Sequence, residues 1–260
     1  MILGVRSARP DWWLRSVGAR SGDGYIRTRF DPGITAVGFF RGIQTLRKRR
    51  GRLLDLYARE WEGKPLKDDE FVISADEKTS IQARRRKHPS HACRPRATMR
   101  VEHEYWRCGA LTYLSALDVH HARVFGRCEP QNGIAPFDRL VEQVMTRPPY
   151  NDARRVFWIV DNCSCHRGLK AVQRLREQYP QLTLVHAPVH ASWLNQVEIY
   201  FSIVQRKALC PNDFPNLDAL AERLLDFPYY WESVARPFEW KFTRQDLAEL
   251  LTKLSKMGPA

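Results

Sequence analysis

The chain has 260 residues, 43% of them hydrophobic, and carries 42 Lys and Arg against 29 Asp and Glu for a net charge of +13. That length permits one good-sized domain plus an appendage, and with no run of eighteen apolar residues no membrane span is indicated. The positive excess favours a polyanionic partner, and six cysteines without a CxxC pair or a secretory signal read as reduced thiols in a cytoplasmic protein.

The charge is uneven. Residues 1–52 hold twelve Lys or Arg and three Asp. Residues 1–43 are Gly- and Arg-rich, lack a sustained helical period and contain breakers at Pro10, Gly18, Gly22, Gly24, Pro32 and Gly33, so a poorly ordered basic segment is expected. Residues 44–70 read as a linking helix, from the partial periodicity of Leu46, Leu53, Leu54, Leu56 and Tyr57, interrupted at Gly51. Residues 71–260 read as one α/β domain. Phe71 to Ala75 forms a buried strand ending in Asp76, and a hairpin follows through EYWRCGALTYLSALDVHHARVFG. Next come a helix near Pro136 to Met145, the strand RVFWIV leading into Asp161, a helix near Arg167 to Gln178, the strand LTLVH, and a helix capped by Ser192 that bears Glu198. Two helices close the chain. The first spans about Leu217 to Leu225, with Pro228 as a breaker beyond it. The second starts after Thr243, where Asp246 resembles a capping box, and carries Leu247, Leu250, Leu251 and Leu254.

Three acids stand out in this order. Asp76 and Asp161 each close a short apolar strand, at the sheet edge where α/β folds gather their ligands. Glu198 borders the stripe of Leu194, Val197, Phe201, Val204 and Ala208, and with Asn195, Ser202 and Gln205 forms a polar flank facing the two aspartates. Oxygen-only donors suit Mg²⁺, which binds through a few carboxylates and keeps room for water and phosphate oxygens. Two such ions would serve an in-line phosphoryl displacement. A lone Asp at a strand end is more often a turn former, so the weight lies in the joint pattern.

The strings ADEKTSIQARRR, WIVDNCSCH and HAPVHASWLNQVEIYFSIVQRK resemble the three signature blocks of mariner-like bacterial insertion-sequence transposases, the DDE superfamily endonucleases. The resemblance covers about residues 44 to 260. It implies a ribonuclease-H-like fold, a mixed five-stranded sheet with helices on both faces and the acids at its centre. It further implies metal-dependent DNA cleavage and strand transfer with Mg²⁺ or Mn²⁺, two ions held by Asp76, Asp161 and Glu198. Asn162, His166 and Asn195 would shape the site, while Trp193 anchors its helix. The partners implied are transposon ends and target DNA in a nucleoid-associated bacterial protein, and the resemblance is compatible with a homodimer in a synaptic complex.

For DNA contact the candidates are Arg84, Arg85, Arg86 and Lys87, which follow closely on the first acid, together with Arg206 and Lys207. The family's helix-turn-helix end-reading modules have no counterpart in residues 1–43, so a truncated or rearranged transposase is expected, with an idle DNA-binding remnant as the alternative. An RNA-cleaving enzyme of the same fold ranks lower. Zinc at Cys163, Cys165 and His166, with His186 or His190, is disfavoured because C-x-C-H is not a usual ligand spacing. His120 and His121 read as a strand-end feature.

Overall fold

Five strands form one sheet in the order β5-β4-β3-β6-β7: β3 (Glu70–Arg86), β4 (Tyr105–Asp118), β5 (Val124–Glu129), β6 (Arg155–Val160) and β7 (Leu182–His186). A short hairpin of β1 (Glu60–Trp61) and β2 (Lys64–Pro65) precedes it. In this computed structural model the described residues are 51–89, 91, 95, 98–161, 169–187 and 192–256, all within one unit, Val37–Ala260. The expectations for residues 1–43, Asn162, His166, Cys93, Cys163, Cys165 and His190 lie outside them.

The sheet is mixed. β3, β4 and β5 pair antiparallel, while β6 runs parallel to β3 and β7 parallel to β6. Parallel strands covered on both faces read as unbroken apolar runs, and Val156 to Val160 are all buried. Side-chain alternation sorts the layers. Phe71, Ile73, Ala75, Val156 and Trp158 face α1 (Ile134–Met145) and α2 (Leu169–Gln178), through Phe137, Leu140, Val141, Val144, Met145 and Leu175. On the opposite face, Val72, Phe157 and Ile159 meet Leu53, Leu54 and Leu56, with Leu194 and Leu247. Beside them Tyr113, Leu111 and Ile81 pack on α3 (Val197–Lys207) and α4 (Leu217–Val234). Full burial of each such large apolar side chain contributes roughly 1.5–3 kcal/mol. No helix among the described residues is long and apolar enough to cross a membrane.

Several local expectations change. Within the segment read as a linking helix, residues 51–57 are helical and the hairpin of β1 and β2 follows, so the segment packs as part of the core and does not run free. Asp76 does not end its strand. β6 stops pairing at Ser74↔Ile159, while β3 continues with β4 to Arg86↔Tyr105 as a projecting two-stranded ribbon. Residues 212–214 cover the edge this leaves open, with Asn212 Oδ1 and Asp213 Oδ1 accepting the N–H groups of Arg84 and Arg86, and Phe214 N–H donating to the Arg84 carbonyl. Ser192 opens a separate 3-10 turn, Ser192–Leu194, and α3 begins after Gln196. Pro228 lies inside α4, buried beside Leu224, Phe227 and Trp231, whose packing outweighs one missing helical hydrogen bond. At α5 (Arg244–Lys256) the capping box is present, with Thr243 N–H donating to Asp246 Oδ2 at 2.8 Å and Asp246 N–H to Thr243 Oγ1 at 3.2 Å.

Candidate active site

Two aspartates are brought together by strand register. Ser74 pairs with Ile159 on parallel neighbours, and the same register carried two residues further brings Asp76 and Asp161 to the same end of the two strands, where their carboxylates interact. Asp76 shares the face of Val72 and Ser74, the side on which the 192–194 turn and α3 begin. Glu198 lies in the first turn of α3, where a negative charge complements the helix N-terminus.

The three acids repel one another. Burial, above all, pushes the Asp76 carboxyl up to about 7; the Glu77 N–H opposes that rise, while the carboxylates of Glu198, Asp161 and Glu77 add to it. Glu198 is exposed as a residue, yet partial burial of its carboxyl holds it above the ordinary range, with Lys78 opposing and Asp161 adding. A divalent cation would relieve this repulsion, and an all-oxygen donor set is the chemistry that Mg²⁺ and Mn²⁺ select. Among the described residues no three His, Cys, Asp or Glu side chains are drawn tightly enough to hold an ion as they stand. The donor atoms suit such an ion in kind, and the exposed Glu198 side chain has the rotational freedom that closing the set would require.

Asn195 holds the arrangement. It is 1% exposed, donates its side-chain N–H groups to the Ala75 carbonyl and to Asp76 Oδ2, both at 3.1 Å, and accepts the Ser74 hydroxyl. The second Asp76 oxygen accepts the Glu77 N–H at 2.8 Å. Trp193 packs edge-on against Phe242, ring centroids 5.2 Å apart.

The sequence of residues 72–221, more than half the chain, matches the DDE superfamily endonucleases. The chain belongs to that family. The fold is similar to the Mos1 mariner paired-end complex with Mn, at a TM-score of 0.52 and 15% identity over 94% of this chain and 67% of that one. Also similar are a pre-cleavage Mos1 transpososome (TM-score 0.49, 14% identity, 94% and 67% covered) and the Mos1 paired-end complex with Mg (0.45, 12%, 94% and 67%). No curated protein matches the sequence. At such identities the likeness is one of fold, and the sheet is the ribonuclease-H-like mixed sheet with helices on both faces.

In this DDE endonuclease the basic residues lie farther out than their sequence position implies. Arg84 is eight residues beyond Asp76 on an extended strand, up to about 26 Å away. Arg84 and Arg86 lie over the Tyr105 ring, and Arg85 and Lys87 over the half-exposed Trp106, so the ribbon carries cations and aromatics on both faces. Arg206 and Lys207 are exposed in the last turn of α3. Between ribbon and helix opens a cavity of about 610 Å³, lined by Lys78, Arg84, Arg86, Gln205 and Asn212. Lys78, the cation that acts on Glu198, lies two residues after Asp76 inside the first signature string without standing out there, and Ser74 sits just ahead of that string in a strand position with no motif of its own. Asp118 is wholly buried and accepts from Tyr150 Oη at 2.7 Å and from His121, which makes 118–121 a strand-end turn on the opposite side of the pairing from Asp76.

Proposed function

We propose that this DDE endonuclease domain cleaves DNA strands and joins them to a target, as a transposase does, with Asp76, Asp161 and Glu198 as ligands of two Mg²⁺ or Mn²⁺ ions. The observation that carries the reading is the convergence of three carboxylates, on β3, directly after β6 and in the first turn of α3, near enough to act on one another. When bound, the ions would supply Lewis acidity to a phosphodiester and lower the pKa of an attacking hydroxyl. Asp76 is held for this by the amide of Asn195 and the N–H of Glu77, which leave its oxygens ordered before substrate arrives. Lys78 adds positive charge beside the scissile phosphate. Water attacks phosphorus, the bond to the 3′ oxygen breaks, and the freed 3′-hydroxyl then attacks a phosphodiester of the target, displacing that strand's own 3′ oxygen, which leaves as a hydroxyl.

DNA held at the acids would continue along the basic ribbon, where Arg84, Arg85, Arg86 and Lys87 neutralise backbone phosphates and Trp106 offers a stacking face. The similar Mos1 structure with Mn is a paired-end complex, which supports a pairing of two copies on two element ends. An insertion-sequence origin in bacteria fits the signature blocks. The test supplies the chain with a duplex ending in a free 3′-hydroxyl and a supercoiled plasmid with Mn²⁺. Joined product from that end, none from a 3′-deoxy end, and no cutting of an RNA–DNA hybrid is the expected result; hybrid cleavage without joining would assign the site to RNA.

A further inference from the structure

Helix α3 starts without a cap of its own. Gln196 stands at its N-cap position and provides no side-chain hydrogen bond, although the first N–H groups of a helix have no partner within it. Two hydroxyls from elsewhere fill the gap. Tyr57, last of the helical residues 51–57, accepts the Gln196 N–H at 3.3 Å and donates to the Leu194 carbonyl at 2.6 Å. Ser74, 0% exposed on β3, accepts the Val197 N–H at 2.9 Å and donates to Asn195 Oδ1. Asn195 passes the restraint to Asp76 Oδ2. Leu194, Asn195, Gln196 and Val197, the four residues ahead of Glu198, are thereby pinned in sequence to β3 and to the segment before it. Ring packing of Tyr57 on Trp240, centroids 5.1 Å apart, fixes the tyrosine from its other side.

We infer that Tyr57 and Ser74 are positioning residues, whose hydroxyls jointly cap α3 and lock its first turn onto β3, setting where Glu198 stands relative to Asp76. Tyr57 lies outside the matched residues 72–221. The inference rests on the proposed reading of the three acids as metal ligands. Its consequence is that the helical segment ahead of the sheet belongs to the working site, and that displacing it would release Glu198 without touching any acid.

The test compares Tyr57→Phe and Ser74→Ala with Leu247→Ala, a truncation in the same apolar cluster that removes none of these hydrogen bonds. Amide exchange is followed without metal, and Mn²⁺ affinity without DNA is read from the EPR signal of the free ion. The two hydroxyl variants are expected to speed exchange selectively across residues 195–199 and to weaken Mn²⁺ binding about tenfold, the lower end of what supporting hydrogen bonds contribute to metal sites. Leu247→Ala is expected to bind Mn²⁺ within about twofold of wild type. Unchanged exchange across 195–199 in Tyr57→Phe, or Mn²⁺ affinity that tracks stability alike in all three variants, overturns the inference. Exchange that responds as expected in a protein that never binds Mn²⁺ upholds the capping of α3 and sinks the metal reading instead.

Discussion

Replacing Asp76 by Asn removes a charge that the fold holds at a cost, so the metal-free variant should become more stable than wild type at alkaline pH. A carboxyl moved from 3.8 to about 7 disfavours its ionised form by about 4 kcal/mol, at 1.36 kcal/mol per pH unit. Protein relaxation and the remaining solvent contact of Asp76 reduce this to roughly 2–3 kcal/mol. Asn presents one oxygen where Asp76 presents two, accepting from Glu77 N–H and Asn195, so one hydrogen bond of about 1 kcal/mol is lost. The net gain at pH 8 is about 1–2 kcal/mol, or about 3–6 °C in Tm. The sign follows from linkage. Between pH 4 and 7 the folded wild type holds the proton that the unfolded chain has released, so its stability falls as pH rises through that window, and Asn abolishes the fall. Thermal unfolding in EDTA at pH 4.5, 6 and 8 reads the effect. Asp76→Asn should be slightly less stable than wild type at pH 4.5 and more stable at pH 8. A difference between the two proteins that stays constant across this range would refute the reasoning.

Asn195→Ala leaves Ser74 Oγ, the Ala75 carbonyl and Asp76 Oδ2 without their shared partner, and should lower stability by about 3 kcal/mol in urea unfolding at pH 7. Arg85→Ala with Lys87→Ala should weaken DNA binding uniformly across sequences and reduce the slope of log affinity against log salt by about 2, since each phosphate contact contributes about 0.9. Histidine NMR titration should separate two adjacent residues. His121 should titrate above its ordinary 6.5, because Asp118 accepts from its ring, so its contribution to stability is present below that value and fades as pH rises through the folded pKa. His120, half-buried, should titrate below 6.5 because burial disfavours its charged form, and should destabilise the fold as pH falls past that value, and Asp118→Asn should bring the His121 midpoint down.

The sheet was legible because β6 and β7 are apolar runs of strand length, and because the spacing of Asp76 and Asp161 equals the register of β3 on β6. The apolar stripe of α3 was legible from its period, and Leu194, Val197, Phe201, Val204 and Ala208 are all buried. The start of α3 was not, because its cap comes from Tyr57 and Ser74, far away in sequence, and no local pattern records a tertiary cap. Arg84 to Lys87 were read as neighbours of the site from sequence distance. An extended strand turns eight residues into the longest span the chain can make, and β3 gives no sign where its parallel partner stops. Pro228 reads as a stop because proline costs a helix a hydrogen bond; the buried Leu224, Phe227 and Trp231 beside it reverse that balance.

Nicking of supercoiled plasmid by the purified chain, with Mg²⁺ or Mn²⁺, set beside Asp161→Ala and Glu198→Ala, tests most directly whether the three acids form one metal-dependent cutting site. Relaxed circles that require the metal and fall at least about a hundredfold in both variants are the predicted result, about 3 kcal/mol of lost transition-state stabilisation. Equal nicking by folded wild type and folded Asp161→Ala, or none by the wild type with either metal, would contradict it.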